Sequence, residues 1–147
     1  MNNTEKPANA LEDFKINVKL KIASLWTAVM FCYVYGDIFV LQEPGHLKDI
    51  IAGTVWYGKP LSQGRLLSFA ISMAIPSVMI FLSVALTPKI NRWTNIVLGL
   101  FSSAFVVLIL AMTQGLWSFY IFLSAVETVL TLLVVWYAWN WPKQSEK

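Results

Sequence analysis

The sequence predicts an all-α protein built as a four-transmembrane-helix bundle, with a short interfacial helix in the first outer loop. Three observations carry that prediction. Hydrophobic residues make up 57% of the 147 and charged ones 13%, with a mean hydropathy of +0.61, whereas an ordinary soluble domain is about a quarter charged. The apolar residues gather in four blocks, at about 22–41, 61–86, 93–112 and 116–139, each near or above the ~20 residues that cross a bilayer at about 1.5 Å per residue. Within those blocks the only Lys, Arg, Asp or Glu are Asp37, Arg65 and Glu127. The blocks are apolar all round, unlike the amphipathic helices of a soluble core, and they lack the alternation of membrane β-barrel strands.

Residues 1–21 are read as a cytoplasmic N-terminal segment. Asn9 and Glu12 have the spacing of a capping box. The stretch FKINVKLKI then alternates strictly, with Phe14, Ile16, Val18, Leu20 and Ile22 set against Lys15, Asn17, Lys19 and Lys21. Beside a span, it is expected to lie at the headgroups with its lysines snorkelling into water, each contributing about 1 kcal/mol near anionic lipid. The first block follows a polar lead and is too long for a cleaved signal peptide. Its Cys32 is the single cysteine, which allows no internal disulfide and reads as a buried free thiol.

Pro44 and Gly45 break the first helix, and QEPGHLKDIIAGTVWYGKP is the one sizeable loop. Within it Leu47, Ile50, Ile51 and Val55 recur at helical spacing and Gly53 is a stop signal, which predicts the interfacial helix. Trp56 and Tyr57 would follow it at the membrane boundary. His46, the single histidine, has no second histidine or cysteine near it, so no metal site is expected there. The turn TPKINRW joins the second and third blocks, with Thr87-Pro88 ending one helix and Asn91 as N-cap of the next. Residues 142–147 form a cytoplasmic tail.

Charge sets the expected orientation. Of the 11 basic residues, Lys6, Lys15, Lys19, Lys21, Lys89, Arg92, Lys143 and Lys147 fall on one side of the four blocks, and only Lys48, Lys59 and Arg65 on the other. The positive-inside bias then places both termini in the cytoplasm. Trp93, Trp136, Trp139 and Trp141 mark the inner interface, and Trp56 and Trp117 the outer one. The net charge of +3 thus orients the chain, and the lipid bilayer rather than nucleic acid is the partner it implies.

That topology turns position into depth. Glu127 lies about 15 Å from the outer end of the fourth helix, and Ser72, Ser102, Ser103 and Tyr33 fall at a similar level by the same count. These five are the candidate intramembrane polar site. Polar stripes run along the second helix through Arg65, Ser68, Ser72, Pro76, Met79 and Ser83, and along the fourth through Tyr120, Ser124, Glu127, Thr128 and Thr131. Such stripes face protein or water, because lipid cannot satisfy them. Asp37, about 6 Å below the outer end of the first helix, and Arg65 at a similar depth are expected to pair. Ser68/Ser72 and Gly99/Ser103 are also ordinary small-residue helix-packing pairs. No Ser-His, Cys-His, metal-ligand or glycine-rich phosphate motif accompanies the acids, so neither catalytic residue, metal nor cofactor is assigned.

At RWTNI, YGDIFVLQEPG and ETVLTLLVVWYAWNW the sequence resembles a family of small bacterial four-span membrane proteins of unknown function, over about Lys15 to Trp141. The resemblance implies a multi-pass protein of a bacterial cytoplasmic membrane and supplies no activity. Three functions stay open on the sequence. The first is a bundle that binds or passes a small solute, proton or lipid-like molecule at its polar layer. The second is a structural or accessory subunit, as homo-oligomer or with a membrane partner. The third, placed last, is a membrane-embedded enzyme.

Overall fold

A computed structural model describes residues 14–55 and 59–142. The Asn9–Glu12 capping box, Trp56, Tyr57, Lys6, Lys143 and Lys147 lie outside the described residues. The chain forms α1 (Val18–Leu41), α2 (His46–Ile51), a two-stranded hairpin of β1 (Thr54–Val55) and β2 (Lys59–Pro60), then α3 (Gln63–Ala85), α4 (Pro88–Met112) and α5 (Ser118–Trp139). The four long helices are each apolar and long enough to cross a membrane, as expected for the fold class.

Each boundary has a local cause. Asn17 caps α1 by accepting from the Lys19 backbone N–H at 2.9 Å, so the alternating stretch turns helical from Val18 onward, four residues before the apolar block. Once the chain continues straight into a span, completing backbone hydrogen bonds outweighs the alternating pattern. The Ser62 side chain caps α3, accepting from the Arg65 N–H. Pro88 occupies the first turn of α4 with Thr87 as its cap, a position where a missing N–H costs nothing. Asn91 is therefore not the cap that the sequence suggested, and α4 starts earlier than its apolar block. In the loop, Gly53 has φ +77° and ends the short helix region. Val55 belongs to the hairpin rather than to α2, in register with Lys59.

The long helices pack in the spatial order α3, α1, α5, α4. Consecutive members of that row run antiparallel, so the bundle has a loop end, carrying α2 and the hairpin, and a turn end, carrying residues 86–87. The buried apolar core consists of Ile22, Trp26 and Val29 of α1, Met79 of α3, Ile96 of α4, and Val134 and Ala138 of α5. All of these lie toward the turn end. No residue of α3 before Pro76 is buried, and its Leu66, Leu67, Ile71 and Ile75 are exposed. The bundle is thus closed at the turn end and open along α3 at the loop end.

The turn end is also where basic side chains dock. Lys19 Nζ donates to the carbonyls of Val84 at 3.0 Å and Leu86 at 2.6 Å, satisfying acceptors that the end of α3 leaves open. Arg92 donates to the Trp139 carbonyl at 3.2 Å and lies 5.9 Å from the ring centres of Trp93 and Trp139. Lys21 sits 5.4 Å over the Tyr137 ring. Trp93, Trp136 and Trp139 are exposed there and Trp117 at the loop end. Trp26 differs from all of them in being fully buried.

Candidate functional site

Glu127 sits on α5, about 14 Å from the start of that helix at Ser118, and is only 6% exposed. Three contacts fix its neighbourhood along the α1–α5 seam. Phe39 meets Phe119 edge to face at 5.7 Å between ring centres. Gly36 faces Leu123, whose Cδ1 would lie 3.8 Å from an added Cβ. One turn further, the Tyr33 hydroxyl comes within hydrogen-bonding reach of the Glu127 carboxyl. One carboxyl oxygen, Oε1, is buried with no hydrogen-bond partner among the described residues.

Beside these apolar contacts, a line of polar side chains runs toward the loop end. Asp37, one turn from Tyr33, is exposed, and it interacts electrostatically with half-buried Tyr120. Tyr120 also lies within electrostatic range of Tyr33 and Glu127, and Cys32 within range of Glu127. At the loop end the seam opens into a hollow of about 240 Å³ lined by Phe39, Gln42, Glu43, Trp117 and Phe119.

From Glu127 toward the turn end the α4–α5 interface closes. Ser103 Oγ and Thr131 Oγ1 share a 2.7 Å hydrogen bond. Thr131 Oγ1 is also 2.9 Å from the Glu127 backbone carbonyl, and Ser103 Oγ 2.9 Å from that of Gly99. Gly99 itself is pressed onto α5: an added Cβ would stand 2.7 Å from Val135 Cγ2 and 3.1 Å from the Thr131 carbonyl oxygen. Only glycine allows that approach, which makes Gly99/Ser103 a packing pair of the small-residue kind.

Of the five residues expected around one level, Glu127 and Tyr33 come together. Ser103 lies opposite Thr131, hence about one turn, or 6 Å, deeper than Glu127. Antiparallel register accounts for this: nine residues from Ser103 to Met112 match nine from Thr131 back to Phe122, so α4 stops about a turn short of the start of α5. Ser102 is half-buried beside Ser103. Ser72 is exposed on α3 and donates to the Ser68 carbonyl of its own helix at 2.9 Å. With α1 between α3 and α5, it does not reach the Glu127 site.

Asp37 and Arg65 are not joined in an ion pair among the described residues. Arg65 Nη1 donates instead to the Pro60 carbonyl at 2.6 Å, an acceptor only five residues away that needs no second helix. Asp37 belongs to the face of α1 that meets α5, whereas Arg65 stands on α3 across α1.

The sequence reading also missed a second polar cluster, at the turn end. Trp26 Nε1 donates to Asn95 Oδ1 at 2.7 Å, and Ser83 Oγ lies 3.3 Å from the same atom. Asn95 Nδ2 donates to the Asn91 carbonyl at 2.9 Å and to Asn91 Oδ1 at 2.6 Å, while Asn91 Nδ2 donates to the Ser83 carbonyl at 2.5 Å. All four residues are fully buried. Their signal in the sequence is the series Asn91, Asn95, Gly99, Ser103, four residues apart and therefore on one helix face. This network links α1, α3 and α4 with every side-chain amide group engaged, which is the chemistry of a clamp.

Four membrane-length apolar helices define a multi-pass, all-α integral membrane protein. Within that class the chain belongs to the family of unknown function DUF6326, whose model matches residues 11–147. Comparison of the chain with curated proteins and with solved structures found no match.

Proposed function

We propose that this protein crosses a bacterial cytoplasmic membrane four times with both termini inside, and that it binds or passes a small solute or proton at Glu127. The distribution of basic residues supports the orientation, with Lys19, Lys21, Lys89 and Arg92 at the turn end against Lys48, Lys59 and Arg65 at the loop end. The bacterial assignment rests on the sequence resemblance. One observation carries the function: a glutamate only 6% exposed in the seam, with Oε1 unpartnered among the described residues. Such a group is expensive inside a membrane protein and is retained where it serves a ligand or proton. Packing alone would be met by an apolar side chain.

The test is proton and solute flux in proteoliposomes. Loss of flux in Glu127→Gln, with the fold retained by circular dichroism and gel filtration, supports the reading, and unchanged flux overturns it. A second reading, a structural or accessory subunit, is favoured by the loop-end half of α3. That half presents Gly64, Ser68 and Ser72 four residues apart on an exposed surface, a pattern suited to another membrane helix. Native mass spectrometry from lipid that yields only monomer, with no copurifying protein, counts against this second reading.

A further inference from the structure

We infer that Glu127 exchanges its proton with the loop side of the membrane alone, along the α1–α5 seam through Tyr33, Asp37 and Tyr120. This rests on the reading of Glu127 as the working carboxyl, and it adds both the exchanged species and the direction of access.

The species follows from the groups present. Every side chain on the outward line is a hydroxyl or a carboxyl, each able to accept one proton and release another. Among the described residues no group of three His, Cys, Asp or Glu gathers to hold a metal ion. The ionisable groups around Glu127 are Cys32, Tyr33 and, further out, Asp37 on α1, and Tyr120 on its own helix. From α4 none faces it, since residues 93–112 carry no ionisable side chain.

The direction follows from what lies on each side. Toward the loop end, Gly36–Leu123 and Phe39–Phe119 fill the seam itself, but beside them Tyr33 and Tyr120 are half-buried, Asp37 is exposed, and the hollow at Phe39, Gln42, Glu43, Trp117 and Phe119 lies at that end. Inward, the α1–α5 seam is filled by Trp26, Val29, Val134 and Ala138, each fully buried. On the α4 side the Ser103–Thr131 hydroxyl pair ends on backbone carbonyls. Below it Gly99 touches α5 too closely for a water between them. The amide clamp beyond has its hydrogens bound within the cluster. A proton arriving at Glu127 from the turn end would have to break that packing.

Dicyclohexylcarbodiimide tests this, because it enters the hydrocarbon and adds to protonated carboxyls. The full chain is sealed in proteoliposomes, with the loop side located by labelling Lys48→Cys in a Cys32→Ser background. The pH is changed on one side at a time, and modification of Glu127 is followed by mass spectrometry. Modification should rise several-fold when the loop side is acidified and stay flat when the turn side is. Asp37→Asn and Tyr120→Phe should slow the response to the loop side several-fold and leave the turn side without effect. Modification that follows the turn side, or both sides equally, overturns one-sided access and leaves Glu127 as the working carboxyl. Modification insensitive to pH on either side, together with unchanged flux in Glu127→Gln, overturns both.

Discussion

Replacing Asn95 with alanine should be among the most destabilising single changes in the chain. Its Oδ1 accepts from Trp26 Nε1 at 2.7 Å on α1 and lies 3.3 Å from Ser83 Oγ on α3. Interhelical hydrogen bonds in membranes average about 0.6 kcal/mol each, so the two together give roughly 1.2 kcal/mol. The larger effect comes from what is left behind. The Trp26 indole N–H is fully buried, and an orphaned buried donor costs about 1–3 kcal/mol. Ser83 can turn back to a carbonyl of its own helix, so it adds little. The expected loss is therefore about 2 kcal/mol, set mainly by Trp26. Trp26→Phe removes the donor itself and should forfeit less than Asn95→Ala through the hydrogen bond, although it also trims the core. In the double variant the indole donor is gone and only Asn91 Oδ1, which loses Asn95 Nδ2 in both backgrounds, stays without its partner, so the two changes should couple by about 1 kcal/mol, within the range seen for directly bonded residues. Equilibrium unfolding in mixed micelles measures all three. A loss below about 0.5 kcal/mol for Asn95→Ala, or strict additivity, would refute the clamp.

Gly99→Ala should force α4 and α5 apart, because a Cβ 3.1 Å from the Thr131 carbonyl oxygen meets backbone that cannot yield. A loss of about 1–3 kcal/mol is expected in the same unfolding assay. Lys19→Met should expose the last turn of α3, whose Val84 and Leu86 carbonyls it engages. Faster hydrogen exchange there and a loss of about 1 kcal/mol would show it. Asp37→Asn and Arg65→Gln should be additive within about 0.5 kcal/mol in a double-variant cycle, since Arg65 is bound to the Pro60 carbonyl.

The four spans and the short helix after Gly45 are legible in the sequence because hydropathy over twenty residues averages away local detail. Depth was only half legible. Counting residues from an assumed boundary sets Tyr33 and Glu127 at one level, and in the structure they lie near each other because α1 and α5 run antiparallel in close register. The same count misplaced Ser103 by a turn, because segment 113–117, with Gly115 at φ +72°, carries the chain upward before α5 begins. Facing was less legible still. Ser72 and Ser103 have similar chemistry, yet one is exposed on α3 and the other buried against Thr131. No pattern within a uniformly apolar helix says which neighbour it will meet. Asn91 misled for a related reason. An asparagine soon after proline looks like a cap, and its partner Asn95 becomes visible only once α4 is known to extend back to Pro88.

The two polar clusters also differ in what they do to stability, and that difference separates the two functional readings. The Asn91–Asn95 cluster is satisfied, so removing either asparagine leaves an orphan. Glu127 is the opposite case, since its Oε1 is already unpartnered and buried. Replacing an unsatisfied buried polar atom with an apolar one of similar shape relieves the desolvation it carried, about 1–3 kcal/mol. Glu127→Leu keeps the bulk that meets Tyr33 and removes that burden, so it should raise stability by about 1 kcal/mol while abolishing flux. Natural proteins carry this kind of stability cost at working sites. If Glu127→Leu instead lowers stability by more than about 1 kcal/mol, the carboxyl is holding helices together, and the accessory-subunit reading gains what the transport reading loses.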